Sequence, residues 1–269
     1  MKSIMELVAE YLAAGYTRDA ANAKAAHDIV LLAMQRCGFK ANSTVKGGVV
    51  MSSLTGDVRR ATMDMDIDFI RYSIGDAAVA RFVSRMSKAM PGIEVRMVGK
   101  PVELKHDDYR GKRVVLLIKD GSVARGIRTK IDIGIHANDE IAQIDFAFKT
   151  GFGEGVVELQ ANSQEQIFSE KLLSLLRHGA STNRPKDIFD MYYLTGRLDL
   201  EKLNSCVKLM IYGNPRCRVN DHAGMMNSVR MIFGLKVFSA KLARARANWL
   251  QLPANVVLEN LERFLGRLS

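Results

Sequence analysis

The sequence predicts an α+β protein in which an α/β domain, residues 1–162, precedes a helical domain, residues 163–269. Two changes of pattern along the chain predict this division. From about residue 93 to residue 158, short β-branched runs are bounded by Gly, Asp or Asn, which is typical of strands and turns. After residue 162, apolar residues recur at helical spacing instead. With 48% hydrophobic and 25% charged residues, the composition is that of a soluble globular protein.

Two helices begin the α/β domain. Apolar residues at helical spacing predict helices over 3–14 and 18–36, and Gly38 ends the second one. The segment "STVKGGVVMSSL" predicts a short strand, a turn at two glycines and a helix that begins at the turn. The run "MDIDFIRYSI" predicts a strand, and a helix follows from Gly75 to about Ala89.

Five further runs have the composition of strands and predict that a sheet dominates the rest of this domain. They are "IEVRMV", "RVVLLI", "TKIDIGI", "AQIDFAF" and "GVVELQ".

The helical domain has clear start and stop signals. Ser163 with Gln166 three residues later is a capping pattern, and Gly179 ends the helix that it begins. Pro185 marks the first turn of the next helix, and Gly196 follows its end. Helical patterns then continue to about residue 268, with an interruption at "YGNPRCRVND".

The charge balance favours a polyanionic partner. The chain has 39 Lys and Arg against 29 Asp and Glu, a net charge of +10. Residues 161–269 contain 16 basic and 9 acidic residues, so most of the excess lies in the helical part. Such an excess favours nucleic acid, nucleotides or an anionic surface, and it also serves simple solubility.

The cysteines and the first residues indicate a cytoplasmic protein. The three cysteines show no metal-ligand spacing and are odd in number, so we expect free thiols in a reducing compartment. The first segment carries Glu6 and Glu10 within its apolar pattern, unlike a signal peptide. No apolar run has the length of a membrane span, so we expect no membrane contact.

Three aspartates alternate in the segment "RRATMDMDIDF". On a strand, Asp64, Asp66 and Asp68 would share one face, where like charges repel and raise one another's pKa. A solvated edge strand is the simplest interpretation, but Asp is depleted in strands. A divalent cation such as Mg²⁺, held by a carboxylate pair and by substrate phosphates, would account for the cluster.

Two other features fit this interpretation. Gly47 and Gly48 lie where a strand turns into a helix, which lets the backbone approach a phosphate, although paired glycines are also common in turns. Asp132 lies among apolar residues on a predicted interior strand, where a carboxylate is costly unless it is paired or bound to metal. Asp145 repeats the pattern. The alternative for one of these two aspartates is that it simply faces solvent or binds an arginine.

The order of a Gly-Gly turn, an Asp-x-Asp strand and a later single-Asp strand resembles that of polymerase-β-like nucleotidyltransferases. Within that superfamily, "KGG…RRATMDMDIDF" and "SEKLLSLLRHG…NRPKDIFDMYYL" resemble the two motif blocks of the AbiEii/AbiGii-type nucleotidyltransferase-like toxins of type IV toxin–antitoxin systems. The resemblance covers roughly residues 43–195. It implies a nucleotidyltransferase domain followed by a helical C-terminal domain.

The resemblance also implies roles for individual residues. The catalytic set would be Asp64, Asp66, Asp132 and Lys171, and the first three of these would hold Mg²⁺. The nucleotide would be bound by a second set, Gly47, Gly48, Lys171, Asp187 and Asp190. The extra Asp68 leaves the metal pair open between Asp64/Asp66 and Asp66/Asp68, although the Arg-x-Thr lead-in favours the first. Taken singly, lysines and aspartates on helix surfaces are ordinary.

The implied function is Mg²⁺-dependent transfer of a nucleotide from an NTP to an acceptor. The resemblance suggests an RNA acceptor such as tRNA, a role as the toxin of a toxin–antitoxin or phage-defence system, and a cognate antitoxin as partner. The alternatives are an NTP- or RNA-binding module without activity, and nucleotidyl transfer to a protein. Basic residues of "KLARARANWLQL" would follow an RNA backbone or form one polar face of a helix.

Overall fold

The computed structural model describes most of the chain and divides it into two compact units, Met1–Asn162 and Ser163–Ser269. The described residues are 2–104, 111–136, 139–212, 214, 217–244 and 247–269. The predicted order of an α/β part followed by a helical part is confirmed.

The first unit contains an eight-stranded mixed sheet. Its helices are α1 (Ile4–Ala13), α2 (Arg18–Arg36), α3 (Gly47–Thr55) and α4 (Asp76–Lys88). Its strands are β1 (Ser43–Val45), β2 (Asp64–Phe69), β3 (Glu94–Met97), β4 (Val102–Leu104), β5 (Gly111–Lys119), β6 (Ile127–Ile135), β7 (Ile144–Lys149) and β8 (Val156–Ala161).

The strand order is β3-β5-β6-β2-β1-β8-β7, and β4 pairs with β5 beside β3. The pairs β2/β6 and β1/β8 are parallel, and the other pairs are antiparallel. Strand β2 therefore lies in the interior of the sheet, with β6 on one side and β1 on the other. Strand β4 has only three residues, and the sequence patterns did not predict it.

One face of β2 forms part of the hydrophobic core. Met65, Ile67 and Phe69 are each at most 1% exposed, and the ring of Phe69 packs 5.2 Å from that of Phe82 on α4. Helix α2 is almost wholly buried along its second half and packs against β6 and β8. Because successive strand residues point to opposite faces, this packing leaves the aspartates of β2 on the other side.

The second unit consists of helices. They are α5 (Gln164–His178), α6 (Pro185–Leu194), α7 (Leu200–Met210), α8 (His222–Gly234), α9 (Lys236–Ala243) and α10 (Ala254–Leu265). Ser163 accepts a hydrogen bond from the Gln166 backbone as predicted, and Gly179 adopts a positive φ where α5 ends. The predicted interruption after α7 is present, and the chain also breaks at Leu235, between α8 and α9.

Candidate active site

Three carboxylates project from one face of β2. Asp64, Asp66 and Asp68 alternate along the strand, and the apolar residues between them are buried in the core. Asp64 is exposed, Asp66 is partly buried and Asp68 is buried. The accessible negative charge of this face therefore lies at Asp64 and Asp66.

Asp68 is neutralised within the first unit. Its Oδ2 lies 2.9 Å from Nζ of Lys46, and the Asp68 side chain is only 8% exposed. Withdrawing one member of such a buried ion pair is costly, because the other charge is left uncompensated. This contact favours Asp64 over Asp68 as the residue that would join Asp66 in a metal-binding pair.

The two glycines meet two different structural requirements. Gly47 has φ +49°, in the left-handed region that residues other than glycine rarely adopt. A Cβ on Gly48 would lie 2.5 Å from Oγ1 of Thr62, so the first turn of α3 packs tightly against the segment that leads into β2. Any larger residue at either position would disturb this approach.

The glycine turn also lies next to Asp66. A Cβ on Gly47 would lie 3.4 Å from Oδ2 of Asp66, which places that carboxylate beside the amino end of α3. The backbone N–H groups of a helix amino end carry partial positive charge and suit phosphate oxygens. The structure thus brings together Gly47, Gly48 and Asp66, which the sequence predicted as parts of one site.

Asp132 lies in register with Asp66 on the neighbouring strand. The two residues are partners in the parallel β2/β6 pair, and Asp132 is also the partner of Arg113 in the antiparallel β5/β6 pair. Arg113 donates from Nε to Oδ1 and from Nη2 to Oδ2 of Asp132, at 2.7 Å each. Asp132 thus lies on the same face of the sheet as Asp66, and both of its oxygens accept hydrogen bonds from Arg113.

The Arg113 guanidinium is held in the field of all three candidate metal ligands. Its pKa is raised above the ordinary value, first by the hydrogen bonds to Asp132 and then by the charges of Asp132, Asp64 and Asp66, against the opposing effect of desolvation. Arg113 therefore supplies a positive charge to this group of carboxylates.

The lysine and aspartates predicted in the second motif block form a cluster in the helical unit. Nζ of Lys171 on α5 lies 2.5 Å from Oδ1 of Asp187 and 2.9 Å from Oδ2 of Asp190, both on α6. Asp190 is fully buried, and its Oδ1 accepts a hydrogen bond of 3.0 Å from Nε1 of Trp249. A charged group can be buried in this way because each partner is compensated. The structure brings all three residues together.

The remaining candidates have other surroundings. Asp145 is on the edge strand β7, 74% exposed, and lies 2.9 Å from Nζ of Lys40. The His136 ring contacts the Gln143 amide at 3.3 Å. The cysteines Cys37, Cys206 and Cys217 are free thiols. Arg246, in the basic run "KLARARANWLQL", lies outside the described residues.

The sequence patterns missed three partners of the predicted residues. They are Lys46, which neutralises Asp68; Arg113, which binds Asp132; and Trp249, which donates to Asp190. Lys46 directly precedes the two glycines, so the sequence itself indicates that it lies next to the glycine turn. Nothing local marks the other two, because only the strand register and the helix packing bring them to the aspartates.

The donors on this face suit a magnesium ion. Mg²⁺ is bound through one or two carboxylates, with its remaining positions filled by water and substrate phosphates. Asp64 is an exposed carboxylate on this face, and Asp66 is a partly buried one next to the amino end of α3. Within the described part of the chain, no three carboxylate, imidazole or thiol groups are placed to hold a metal ion together. Asp132 as a third ligand stays a prediction.

Comparison with solved structures gives distant matches. JHP933 from Helicobacter pylori has 16% identity and a TM-score of 0.48, covering 94% of this chain and 96% of that one. A candidate nucleotidyltransferase from H. pylori has 17% identity and a TM-score of 0.46, covering 91% and 94%. An antigenic nucleotidyltransferase-like protein from Paracoccidioides brasiliensis has 13% identity and a TM-score of 0.39, covering 80% and 91%. No curated protein matches the chain significantly.

A family model decides the assignment. The model described as "Nucleotidyl transferase AbiEii toxin, Type IV TA system" matches residues 29–248, which include the glycine turn, the aspartate strand and the Lys171 cluster. None of the described helices has the length and hydropathy needed to cross a membrane. The resemblance inferred from the motifs is confirmed, and the chain belongs to the AbiEii family of nucleotidyltransferase toxins, a family of type IV toxin–antitoxin systems that implies a cognate antitoxin.

Proposed function

We propose that this nucleotidyltransferase moves a nucleotide from an NTP to an RNA acceptor, with tRNA as the first candidate, in a reaction that depends on Mg²⁺. The observation that carries the proposal is the position of Asp66 beside the amino end of α3, with Asp64 accessible on the same face of β2. A carboxylate pair next to backbone N–H groups suits a cation and a triphosphate bound together.

The residues would divide the work as follows. Asp64 and Asp66 would hold Mg²⁺, with Asp132 as the third carboxylate, while the first turn of α3 at Gly47 and Gly48 would receive the phosphates. When bound, the metal would neutralise charge on the α-phosphate of the transferred nucleotide and on the leaving pyrophosphate. The acceptor hydroxyl attacks the α-phosphorus, the bond to the bridging oxygen breaks, and one of the carboxylates receives the hydroxyl proton.

The Lys171 cluster would serve the nucleotide as well. Asp187 and Asp190 fix the ammonium of Lys171 from two sides, and Trp249 fixes Asp190. A lysine held in this way is oriented before a ligand binds, which lowers the entropic cost of a contact with phosphate. We therefore assign Lys171 to phosphate binding and the two aspartates to its orientation.

An RNA acceptor is supported by charge. Residues 161–269 contain 16 basic and 9 acidic residues, and contacts with a phosphate backbone require cations. As the toxin of its pair, such an enzyme would be opposed by the cognate antitoxin and would serve in toxin–antitoxin regulation or in phage defence. The gene next to the one that encodes this chain is where the antitoxin should be sought.

The test is a transfer assay with the purified full chain. The protein is incubated with each labelled NTP, Mg²⁺ and either total RNA or a mixture of proteins, and the labelled product is identified. Label in RNA that disappears with EDTA supports the proposal. Label in protein would show that the acceptor is a protein and not RNA. NTP binding without any transfer would favour an inactive binding module.

A further inference from the structure

We propose that Arg113 competes with the divalent cation for Asp132. The competition ends when a nucleotide binds, because its phosphates then bind Arg113 in place of Asp132. The inference deepens the proposed function, because it concerns how the same site is loaded. It assigns to Arg113 a positioning role that no motif of the chain indicates.

The register of three neighbouring strands places the competitors in one row. Arg113 on β5 is the partner of Asp132 on β6, and Asp132 is the partner of Asp66 on β2. Asp132 thus lies between the guanidinium and a candidate metal ligand. Its two oxygens each accept a hydrogen bond of 2.7 Å from Arg113, so the carboxylate is oriented towards the arginine.

This contact limits what a cation alone can gain. In the part of the chain that the structure describes, the acidic residues nowhere form a metal-binding group of three. A cation that uses Asp132 must draw the carboxylate away from a bidentate arginine, whose paired, charge-assisted hydrogen bonds are among the strongest in proteins. Binding of the metal by itself therefore carries an extra cost that Arg113 imposes.

A nucleotide provides the alternative partner. A guanidinium matches phosphate oxygens as well as carboxylate oxygens, so Arg113 can exchange one for the other. The Arg113 side chain is 40% exposed and can turn, whereas Asp132 is only 13% exposed. Once Arg113 binds phosphate, Asp132 is available to the metal. Since coupling between two ligands is reciprocal, cation and nucleotide would favour one another's binding.

The first measurement uses the cation alone. Binding of Mn²⁺ to the full chain, without nucleotide, is followed by electron paramagnetic resonance of the free ion. We expect Arg113→Met to bind Mn²⁺ about fivefold more tightly than the natural chain. In an Asp132→Asn background, the same substitution should have no such effect, because the contested ligand is gone.

A lysine variant separates competition from general charge. Arg113→Lys keeps the positive charge but loses the planar fork. If only the net charge mattered, its Mn²⁺ affinity would equal that of the natural chain; competition predicts an intermediate value. Thermal melting of each variant shows whether it folds, and only folded variants are compared.

The second measurement uses the nucleotide alone. In EDTA, Asp132→Asn should bind the NTP more tightly than the natural chain, because Arg113 is no longer held by a carboxylate. Adding Arg113→Met to Asp132→Asn should abolish that gain. An unchanged or weaker Mn²⁺ affinity in Arg113→Met, or no detectable Mn²⁺ binding to any variant, would overturn the inference. Failure of the proposed function is recognised separately, by the absence of label transfer.

Discussion

Asp66 lies where the main features of the α/β unit meet. It is the middle aspartate of β2, its carboxylate is next to Gly47, and its strand partner is Asp132. It also belongs to both candidate metal pairs, Asp64/Asp66 and Asp66/Asp68. Its replacement therefore tests the site whichever pair binds the cation.

We expect Asp66→Asn to lower transfer by at least about 100-fold, as does removal of other groups that stabilise charge in a transition state. The fold should persist, because one charge fewer among neighbouring carboxylates reduces repulsion. Label transfer and thermal melting measure the two effects. Asp145→Asn is the matched control, since Asp145 is 74% exposed on β7. Wild-type transfer by Asp66→Asn would show that the site is assigned to the wrong residues.

A buried histidine predicts how stability depends on pH. His27 on α2 is 3% exposed, and its Nε2 finds no hydrogen-bond partner among the described residues. Burial, with a further effect from Lys24, lowers the pKa of His27 from 6.5 to about 4. Its folded-state pKa is below the unfolded value, so its contribution is fully present above pH 6.5 and is lost as the pH falls towards 4.

The expected loss from His27 between these pH values is on the order of 3 kcal/mol of unfolding free energy. Denaturant unfolding at a series of pH values measures it. His27→Gln should flatten this part of the profile, whatever its effect on absolute stability. His178→Gln, at an exposed histidine of α5, is the control for the replacement of a histidine by glutamine. Equal slopes for His27→Gln and the natural chain would contradict the assignment.

At the scale of elements, the position of α3 depends on the absence of a side chain at Gly48. A Cβ there would lie 2.5 Å from Oγ1 and 3.1 Å from Cβ of Thr62, just before β2. Helix and strand can keep their present spacing only with glycine at this position. The amino end of α3 and the aspartates would therefore separate if the residue were larger.

We expect Gly48→Ala to lower stability by about 1–3 kcal/mol, the usual cost of overpacking, and to weaken NTP binding. Adding Thr62→Ala should restore part of both, because it removes the nearest atom. Gly121→Ala is the control, since a Cβ at Gly121 meets nothing within 4 Å. Melting temperatures and nucleotide titrations give the readouts. A Gly48→Ala protein with normal NTP binding would show that this approach is not needed for binding.

The sequence predicted the local parts of the site better than their partners. Alternation at Asp64 and Asp66 and the glycine turn at Gly47 are properties of short segments, and the strand and helix there were predicted from the same residues. The partners of Asp132 and Asp190 were not predicted. Arg113 is set opposite Asp132 by a strand register, and Trp249 reaches Asp190 through helix packing, and neither leaves a local pattern.

At the scale of the whole molecule, the charge distribution predicts how binding of the proposed RNA acceptor should depend on salt. The helical part carries most of the basic excess, and Arg244 at the end of α9 is exposed there. Each cation that contacts a phosphate releases a counterion on binding, so affinity for RNA should fall steeply as salt rises. A protein acceptor would give a weaker dependence.

We expect Arg244→Gln to reduce the slope of log affinity against log salt by about 0.7, the value for one phosphate contact on a single strand. The change should be similar for different RNA sequences, because a phosphate contact does not identify a base. Lys2→Gln, at an exposed lysine of the first unit, serves as the control. The measurement is fluorescence anisotropy with labelled tRNA. An unchanged slope for Arg244→Gln would exclude this residue from the RNA interface.

If Asp132 belongs to the site as proposed, the register between β2 and β6 also has a consequence for when during synthesis the site can form. These parallel strands are joined by α4, β3, β4 and β5, so Asp66 and Asp132 come together only after a long loop has closed. A nascent chain that has been synthesised only as far as β2 contains the two glycines of α3 and the aspartates of β2, but not strand β6. Pairing across such a separation is slow compared with local helix formation. The site would therefore not form on the ribosome before β6 has been synthesised. A truncated product that ends before β6 should be inactive and harmless to the cell that makes it.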